Sequence, residues 1–464
     1  MADRIHFIGI GGAGMSAIAQ VMHVRGAQVS GSDQKRSPTT ERLAAEGITV
    51  AIGHDPAHVA GASLVVYSAA VPEDNPELLA ARQQSIETVG RAQMLGRLMA
   101  PYTHRVAVTG THGKTTTTSM VGVVLSQARL DPTVLIGGDL EVLGGNARVG
   151  GESLFVTEAC EAFNSFLELY PSVAVITNID ADHLDYHGNL ENIVQSFERF
   201  VRQVDEDGCV IGCVDDPNVR RVLAGLSTRV VSYSANGVGD LCAARVSVDS
   251  PHASYELIRR GERLGRIALG VPGLHNVANS LAAAAVGFEF GASFDVVRDA
   301  LARFEGTGRR FETVGIVDDI MVVDDYAHHP REIQSTLGAA RSGWKRRLIA
   351  VFQPHLYSRT QLFAAEFAES LSAADIVVVT DIYAAREVPI EGVTAALISN
   401  GISRTEAHYI PDKSEIAEFL LPNLRPGDMV ITLGAGDIRT VAEDLMALLS
   451  GQKPMPVGGA AKSS

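Results

Sequence analysis

The chain has 464 residues, of which 46% are hydrophobic and 20% charged, so it is too long for one compact domain and too apolar to be disordered. Its formal net charge of -15 excludes sequence-independent binding to nucleic acid or to an anionic membrane, because both kinds of binding need clustered Lys and Arg. Any anionic ligand must therefore be held by local groups.

The first 101 residues begin with a pattern that is typical of a nucleotide-binding β-α-β unit. A short apolar strand at residues 4–10 leads into a glycine turn, a helix at residues 15–25 and a second strand at residues 27–33. Two further short parallel strands are predicted at residues 64–67 and 88–89. A first α/β domain is therefore predicted to end near Pro101.

The glycines of that turn, Gly9, Gly11 and Gly14, fit the spacing G-x-G-x-x-G, and Asp33 lies nineteen residues after Gly14. Such a turn holds a pyrophosphate at a helix N-terminus and a ribose at the acid. Taken alone, the spacing favours a nicotinamide dehydrogenase. A second phosphate loop and a candidate metal cluster further along the chain favour a different nucleotide instead.

A second strand, loop and helix carry the strongest local signal in the sequence. The strand at residues 105–109 runs into Gly-Thr-His-Gly-Lys-Thr at residues 110–115, and a helix continues to residue 127. Backbone N–H groups in such a loop cradle phosphate, Lys114 adds positive charge and Thr115 offers a hydroxyl to Mg²⁺. Val108 stands where the longer Walker pattern has glycine, so this loop is two residues shorter. The alternative is a glycine turn with an exposed lysine.

Polar side chains follow the next two predicted strands, at residues 155–157 and 173–177. These side chains are Glu158 and His183. Ligands gather at such strand ends in open α/β sheets, and Mg²⁺ prefers hard oxygen ligands. We therefore predict a metal site here; the alternatives are a solvated surface carboxylate for Glu158 and a structural role for His183.

The remaining chain predicts one more α/β domain. Short alternating strands at residues 241–267 predict a β-rich edge, an alanine-rich helix follows residue 279, and glycines near residues 306–311 indicate a hinge. Apolar strands alternate with helices beyond it. The predicted fold class is α/β with three domains: a Rossmann-like domain at 1–101, a P-loop ATPase domain with a mostly parallel sheet at 102–312 and a Rossmann-like domain at 313–464.

Nothing in the sequence indicates export or membrane insertion. The first residues lack a basic region followed by an apolar core, and no run of about 18 apolar residues occurs. The four cysteines form no C-x-x-C pair. We therefore predict a cytoplasmic protein without a membrane or nucleic-acid partner, and its oligomeric state is left open.

Eight motifs, in order along essentially the whole chain, resemble those of the Mur ligases. They are GIGGAGM at residues 9–15, GTHGKTTT at 110–117, TNIDADH at 177–183, PGLHNVAN at 272–279, GRRF at 308–311, DDYAHHP at 324–330, QPHLYSR at 353–359 and GAGDI at 434–438. Agreement of eight motifs in one order is not expected by chance.

The resemblance implies three ligand sites and one metal site. The implied ATP contacts are Gly110, Thr111, His112, Gly113, Lys114, Thr115, Thr116, His275, Asn276, Asn279, Arg310 and Asp325. The implied UDP-sugar contacts are Gly11, Gly12, Ala13, Gly14, Met15, Asp33 and Ser68. The implied amino-acid contacts are Tyr326, His328 and Arg359, and the implied Mg²⁺ ligands are Thr115, Glu158 and His183. The implied catalytic residues are Lys114, Glu158, His183 and Arg310.

The reaction implied by the resemblance is ATP-dependent addition of L-alanine to the lactyl carboxylate of UDP-N-acetylmuramate through an acyl phosphate, a step of peptidoglycan synthesis. Many Mur ligases use a carbamylated lysine in the central domain, whereas the alanine-adding branch does not. Lys114 is the sole lysine between Lys35 and Lys345, which agrees with that branch. The alternatives are a sister ligase that adds a tripeptide to the same sugar nucleotide, folate polyglutamylation, and an NTP-dependent switch or motor.

Overall fold

The computed structural model describes residues 4–140, 145–385 and 387–451. These residues form 21 β-strands and 15 α-helices around three β-sheets, which confirms the predicted three-domain α/β fold class. Among the described helices, none combines the length and the apolar character that crossing a membrane requires.

The first sheet has five strands, all parallel, with helices between them. Its elements are β1 (Arg4–Ile8), α1 (Ala13–Val24), β2 (Gln28–Asp33), α2 (Pro38–Ala45), β3 (Thr49–Ile52), β4 (Leu64–Tyr67), α3 (Pro76–Gln83), β5 (Glu87–Gly90) and α4 (Arg91–Met99). The strand order is β3-β2-β1-β4-β5, so the order reverses between β1 and β4. That reversal opens a crevice at the carboxyl ends of these two strands, where open α/β sheets bind ligands.

The second sheet has ten strands, with a parallel centre and antiparallel ends. Its elements are β6 (His104–Thr109), α5 (Lys114–Gln127), β7 (Thr133–Leu140), β8 (Gly145–Arg148), β9 (Leu154–Glu158), β10 (Val173–Ile176), α6 (Leu184–His187), α7 (Leu190–Val201), β11 (Cys209–Cys213), α8 (Pro217–Ala224), β12 (Arg229–Ser234), β13 (Leu241–Ser247), β14 (Ser254–Arg259), β15 (Glu262–Ala268), α9 (Leu274–Glu289) and α10 (Phe294–Ala302).

The strand order of this sheet places the phosphate-loop strand in its middle. The order is β15-β14-β13-β12-β11-β10-β6-β9-β7-β8, so β6 lies between β10 and β9 and is parallel to both. The predicted β-rich edge at residues 241–267 corresponds to β13 and the antiparallel hairpin β14–β15. Loops that follow β9 and β10 therefore flank the loop that follows β6.

The third sheet has six strands. Its elements are β16 (Glu312–Val317), β17 (Ile320–Asp325), α11 (Pro330–Gly343), β18 (Arg347–Phe352), α12 (Tyr357–Leu371), β19 (Ile376–Val379), α13 (Ala396–Ser399), β20 (Glu406–Tyr409), α14 (Ile416–Leu420), β21 (Asp428–Leu433) and α15 (Arg439–Leu449). The order is β16-β17-β21-β18-β19-β20, with β16 antiparallel and the others parallel. Apolar clusters cover both faces, as parallel strands require.

The described chain divides into two compact units. The first contains the chain up to Val246 together with Ser254–Gly270 and His275–Thr307. The second contains Ser247–Ala253, Val271–Leu274 and the chain from Gly308 onward. The predicted domain boundaries at residues 101 and 312 stay predictions, and the last thirteen positions of the predicted third domain, 452–464, lie outside the described residues.

The first two sheets belong to the same unit and share one apolar core. Phe155 of β9 and Tyr102, which precedes β6, belong to the same buried cluster as Phe7 of β1 and Met94 of α4. Arg25, at the end of α1, also joins the two sheets: its guanidinium donates to the carbonyl oxygens of residues 150 and 151 at 2.9 and 2.8 Å and to the Tyr102 hydroxyl at 3.0 Å.

Candidate active site

The phosphate loop is a tight turn between β6 and α5. Gly113 adopts a left-handed φ of 82°, and a Cβ at this position would lie 2.7 Å from Asn279 Oδ1, so both the backbone conformation and the space require glycine. No described side chain caps α5. The N–H groups of its first turn, which includes Thr115 and Thr116, therefore remain available to an anion.

Lys114 turns back into the loop and pairs with a carboxylate. Its Nζ donates to the carbonyl oxygens of Gly110 and Thr111 at 2.5 and 3.1 Å and to both carboxylate oxygens of Glu161 at 2.8 and 3.1 Å. Glu161 itself is buried. Sequence reasoning did not identify Glu161 as a partner, because nothing in its spacing links it to a loop 47 residues away.

The Lys114–Glu161 pair sets the charge of the loop. Burial alone would lower the pKa of Lys114, but the Glu161 carboxylate outweighs it and raises that pKa above its usual value. The thiol of the neighbouring Cys160 has its pKa raised by burial and by Glu161. The lysine therefore stays protonated and the cysteine stays neutral at physiological pH.

The segment after β10 stabilises the phosphate loop through hydrogen bonds. The Asn178 side-chain oxygen accepts a hydrogen bond from His112 N at 2.8 Å, and the Thr177 hydroxyl donates to His112 O at 2.6 Å. Asp180 N donates to the Thr111 hydroxyl at 2.9 Å. Residues 177–180 of the predicted motif thus hold Thr111 and His112 in the turn conformation.

Glu158 is the last residue of β9 and His183 follows β10, the two strands that flank β6. The Glu158 carboxylate accepts a hydrogen bond from Gly137 N at 2.5 Å. His183 follows β10 at a left-handed φ of 52°, and its Nε2 lies 3.9 Å from Asp182 Oδ2. Together with the hydroxyl of Thr115, these strand ends offer hard oxygen donors and one imidazole, which is a donor set that fits Mg²⁺.

One asparagine of α9 contacts the start of α5 and a second asparagine contacts the first, whereas the neighbouring histidine is exposed. Asn279 Oδ1 accepts a hydrogen bond from the Thr117 hydroxyl at 3.2 Å, and its Nδ2 donates to Asn276 Oδ1 at 3.1 Å. Both asparagines are buried, while His275 lies at the surface on the first turn of the helix. The structure therefore brings Asn279, which is far from the loop in sequence, next to Gly113 and Thr117, and Asn276 contacts Asn279.

The other predicted glycine motif lies at the crevice of the first sheet. Gly11 N donates to Asp33 Oδ2 at 2.8 Å, and a Cβ on Gly11 would lie only 2.8 Å from the same oxygen. Gly12 precedes α1, and Ser68 follows β4 close to Gly9. Ala13, Gly14 and Met15 are the first three residues of α1, and Met15 is buried. The predicted UDP-sugar residues thus converge on the point where the strand order reverses.

Three residues near this crevice were not identified from the sequence. A Cβ on Gly14 would lie 3.0 Å from the guanidinium of Arg91. The Asn146 amide donates to Ala13 O at 2.8 Å, and Arg42 donates to Asn146 Oδ1 at 2.8 Å. These contacts attach the turn before α1 to β8 of the second sheet; no local pattern in the sequence indicates them.

The second unit holds the remaining predicted site residues. The Arg310 guanidinium lies 5.0 Å from the centre of the Tyr326 ring, and the Tyr326 and His328 rings are 5.2 Å apart. Arg359 is buried in the first turn of α12. The structure thus brings Arg310, Tyr326 and His328 together.

Asp325 is held by backbone groups of the second unit. Its Oδ1 and Oδ2 accept hydrogen bonds from Ala327 N and Phe311 N, each at 2.7 Å. Burial raises the pKa of this carboxyl to about 6 although Arg310 opposes the shift. Asp325 therefore orders the turn that carries Tyr326.

Comparison with known proteins assigns the whole chain. The profile for the Mur ligase family catalytic domain matches residues 4–103, that for the Mur ligase middle domain residues 108–287, and that for the Mur ligase glutamate ligase domain residues 309–436. The chain is 46% identical to the UDP-N-acetylmuramate–L-alanine ligase of Caldanaerobacter subterraneus subsp. tengcongensis over 96% of its own length and 97% of that protein's.

Solved structures agree with this similarity. The crystal structure of the UDP-N-acetylmuramate–alanine ligase of Thermotoga maritima is 30% identical, with a TM-score of 0.83 over 97% of this chain and 99% of that one. A murein peptide ligase from Psychrobacter arcticus is 26% identical, with a TM-score of 0.73 over 99% of this chain and 100% of that one. The predicted resemblance is confirmed, and the chain belongs to the Mur ligase family.

Proposed function

We propose that the chain joins L-alanine to the lactyl carboxylate of UDP-N-acetylmuramate, with release of ADP and phosphate, in the synthesis of peptidoglycan precursors. The observation that carries this function is the 46% identity, over nearly the full length of both chains, to a protein of that activity. The tripeptide-adding alternative is less favoured, because the solved murein peptide ligase is less similar, at 26% identity and a TM-score of 0.73, than the solved alanine ligase, at 30% and 0.83.

The proposed reaction begins with phosphoryl transfer from ATP to the carboxylate. Two anions must approach each other in this step, so positive charge has to be supplied around them. We assign that task to Lys114, whose ammonium is kept protonated by Glu161, and to Arg310 of the second unit. Lys114 must exchange part of its contact with Glu161 for the nucleotide phosphates.

Magnesium is proposed to complete this charge balance. Thr115, Glu158 and His183 would hold the ion, which neutralises phosphate and carboxylate oxygens when bound. The chain's own contribution is to fix the strand ends: Gly137 N orients the Glu158 carboxylate, and Asp182 faces the His183 imidazole.

Phosphoryl transfer gives an acyl phosphate and ADP. In the second proposed step the alanine amine attacks its carbonyl carbon, an amide bond forms as the bond to phosphate breaks, and phosphate and a proton are released. An amino acid presents its carboxylate to a planar guanidinium in a defined orientation, and we assign this role to Arg359 together with Tyr326 and His328. The ribose and adenine contacts are assigned to Asp325, His275, Asn276 and Asn279. The amine must arrive unprotonated, because only the free base is a nucleophile.

We also propose a division of tasks along the chain. Residues 1–101 would bind the UDP-sugar, residues 102–312 ATP and residues 313–464 the amino acid. A cytoplasmic location is proposed as well, since the proposed substrates, ATP and a nucleotide-linked sugar, are supplied there.

A single ADP-release assay tests the function. ADP should form only when UDP-N-acetylmuramate and L-alanine are both present, and substitution of the tripeptide for L-alanine should abolish the signal. Glycine lacks one methyl group, which in a pocket changes binding by about 1 to 3 kcal/mol, and L-serine adds a hydroxyl, so both should react more slowly than L-alanine. ADP release without any acceptor would indicate an NTP-dependent switch, and a faster reaction with the tripeptide would indicate the sister ligase.

A further inference from the structure

Two exposed aromatic side chains lie beside the candidate active site and have no part in the function proposed above. Phe163 and Tyr186 each expose 46% of their surface. Phe163 follows β9, and Tyr186 lies in α6 after β10. Their rings are 5.2 Å apart at an interplanar angle of 66°, an edge-to-face arrangement. We call Phe163 and Tyr186 the aromatic pair.

The aromatic pair lies at the same edge of the sheet as the proposed catalytic groups. The strands β9 and β10 flank the phosphate-loop strand β6, so the two loops that carry the rings also flank the phosphate loop. Phe163 is two residues from Glu161, the partner of Lys114, and Tyr186 is three residues from His183. Any substrate carboxylate that approaches Lys114 must bring the atoms next to it close to these loops.

The backbone under Phe163 is strained. Phe163 and Asn164 are consecutive non-glycine residues in the left-handed region, at φ of 55° and 56°. Such conformations persist where the surrounding structure enforces them, and they concentrate at functional sites. Here the Asn164 amide donates to the Tyr186 hydroxyl at 3.2 Å, and Asn164 N donates to Glu161 O at 3.0 Å. These bonds fix Phe163 in an exposed position instead of allowing its ring to enter the core.

Uracil and adenine also stack on aromatic rings, but they are assigned to residues 1–101 and to α9, so the aromatic pair is left to another part of the substrates. Phosphates and Mg²⁺ need charged or hard oxygen groups, and the side chain of alanine is a single methyl group. A pyranose ring differs from both, because it presents a face of C–H groups with polar substituents around its edge. Flat aromatic faces next to a hydroxyl and an amide match that pattern. The N-acetyl sugar is also the substrate part that carries the reacting carboxylate.

We propose that Phe163 and Tyr186 form a subsite for the pyranose ring of the nucleotide-linked N-acetyl sugar. This proposal rests on the proposed function and assigns it two further binding residues. The aromatic pair recognises the sugar and not the nucleotide, and it positions the lactyl carboxylate near Lys114.

The test compares the affinities of two ligands that differ in the sugar. Titration calorimetry measures the dissociation constants of UDP-N-acetylmuramate and of UDP for the wild type and for Phe163→Leu, which keeps an apolar side chain but removes the flat ring. We expect Phe163→Leu to weaken UDP-N-acetylmuramate binding about tenfold and to leave UDP binding unchanged within about twofold. Phe163→Tyr retains the ring and should bind both ligands like the wild type.

Tyr170→Ala is the matched control. Tyr170 exposes 62% of its surface, but it precedes β10 and therefore lies at the opposite edge of the sheet. It should bind both ligands normally. Equal affinities of the wild type and Phe163→Leu for the sugar nucleotide would overturn the subsite, and so would an equal loss for UDP. A wild-type protein that binds UDP-N-acetylmuramate but releases no ADP with L-alanine would overturn the proposed function while leaving the subsite standing.

Discussion

The two glycine turns of the first unit have the same layout and opposite charges. Each connects a parallel strand to a helix, β1 to α1 and β6 to α5. In the first turn a carboxylate, Asp33, accepts the hydrogen bond of Gly11 N. In the second turn an ammonium, Lys114, is enclosed by loop carbonyls and Glu161.

This difference shows that the turn and its ligand are specified separately. The strand-turn-helix pattern supplies backbone N–H groups at a helix N-terminus in both cases. The charged partner decides which ligand group is favoured: an acid favours sugar hydroxyls, and a lysine favours phosphates. That partner comes from β2 in the first turn and from α5 itself, with support from the β9 loop, in the second.

The largest effect on turnover is expected from a substitution of Lys114 in the second turn, which should leave ligand binding at the first turn unchanged. Lys114→Gln keeps a hydrogen-bond donor next to Glu161 but removes the positive charge. We expect turnover to fall at least about 100-fold, because the transferring phosphoryl group loses its nearest cation, while UDP-N-acetylmuramate binding stays unchanged. Steady-state ADP release and calorimetry measure the two quantities, and a thermal melt checks the fold. Normal turnover would remove Lys114 from the mechanism.

The converse change is Gly11→Ala in the first turn. Its Cβ would lie 2.8 Å from Asp33 Oδ2 and 3.0 Å from Thr40 Cγ2, so Asp33 must leave Gly11 N. We expect the KM for UDP-N-acetylmuramate to rise about tenfold, equal to about 1.4 kcal/mol, and the KM for ATP to stay constant. The control is Gly90→Ala in the same domain, where an added Cβ has no described atom within 4 Å. An equal rise of the KM values for UDP-N-acetylmuramate and for ATP would contradict the view that the two turns bind their ligands independently.

A smaller effect is expected from Glu161→Gln, which leaves Lys114 in place without its carboxylate. Glu161 raises the pKa of Lys114 against the effect of burial, so its removal lowers that pKa. The protonated lysine is then lost at lower pH than in the wild type. We expect the alkaline limb of kcat/KM for ATP to move to lower pH, with only a few-fold loss near pH 7. Glu168→Gln, an exposed change in the same connection, should keep the wild-type profile; an unmoved limb in Glu161→Gln would refute the role of the pair.

The smallest effect on activity is expected from Glu77→Gln, a change in α3 outside both turns. Burial alone would raise the pKa of Glu77, but contacts with His6, Ser32 and His58 outweigh it and hold the pKa at about 2. A depressed pKa stabilises the fold above the usual carboxyl range, and this stabilisation is lost as pH falls through about 2. The melting temperature of Glu77→Gln should therefore lie below that of the wild type at pH 7, and the gap should shrink from about pH 5 downward. Turnover at pH 7 should change by less than about twofold; a gap independent of pH would contradict the assignment.

Several of the strands predicted from the sequence are apolar and buried along most of their length. The strands β1, β6, β17 and β21 are apolar runs, and the structure contains them. β3 was not predicted, and it is an edge strand whose four residues are all partly or fully accessible. An edge strand has one neighbour and a half-exposed surface, so its composition does not differ from that of a loop.

The site shows the same limit at the level of single residues. Lys114 could be predicted because the loop, its charge and the following helix are contiguous. Glu161 and Asn146 could not, because their contacts with Lys114 and Ser16 span 47 and 130 residues. Spacing along the chain carries no information about such distances until the strand order is known.

The contacts of Arg25, Arg42 and Asn146 limit how this protein can be recombined with its relatives. Arg25 and Arg42 belong to the first 101 residues, whereas their carbonyl and amide partners belong to the segment 146–151. In a chimaera whose first 101 residues come from a relative, positions 25 and 42 would come from one protein and their partners in the segment 146–151 from another. These contacts would then no longer be matched. Exchange should succeed when residues 145–152 are transferred together with the amino-terminal segment. The part of the chain that can be exchanged as a whole is therefore discontinuous in sequence.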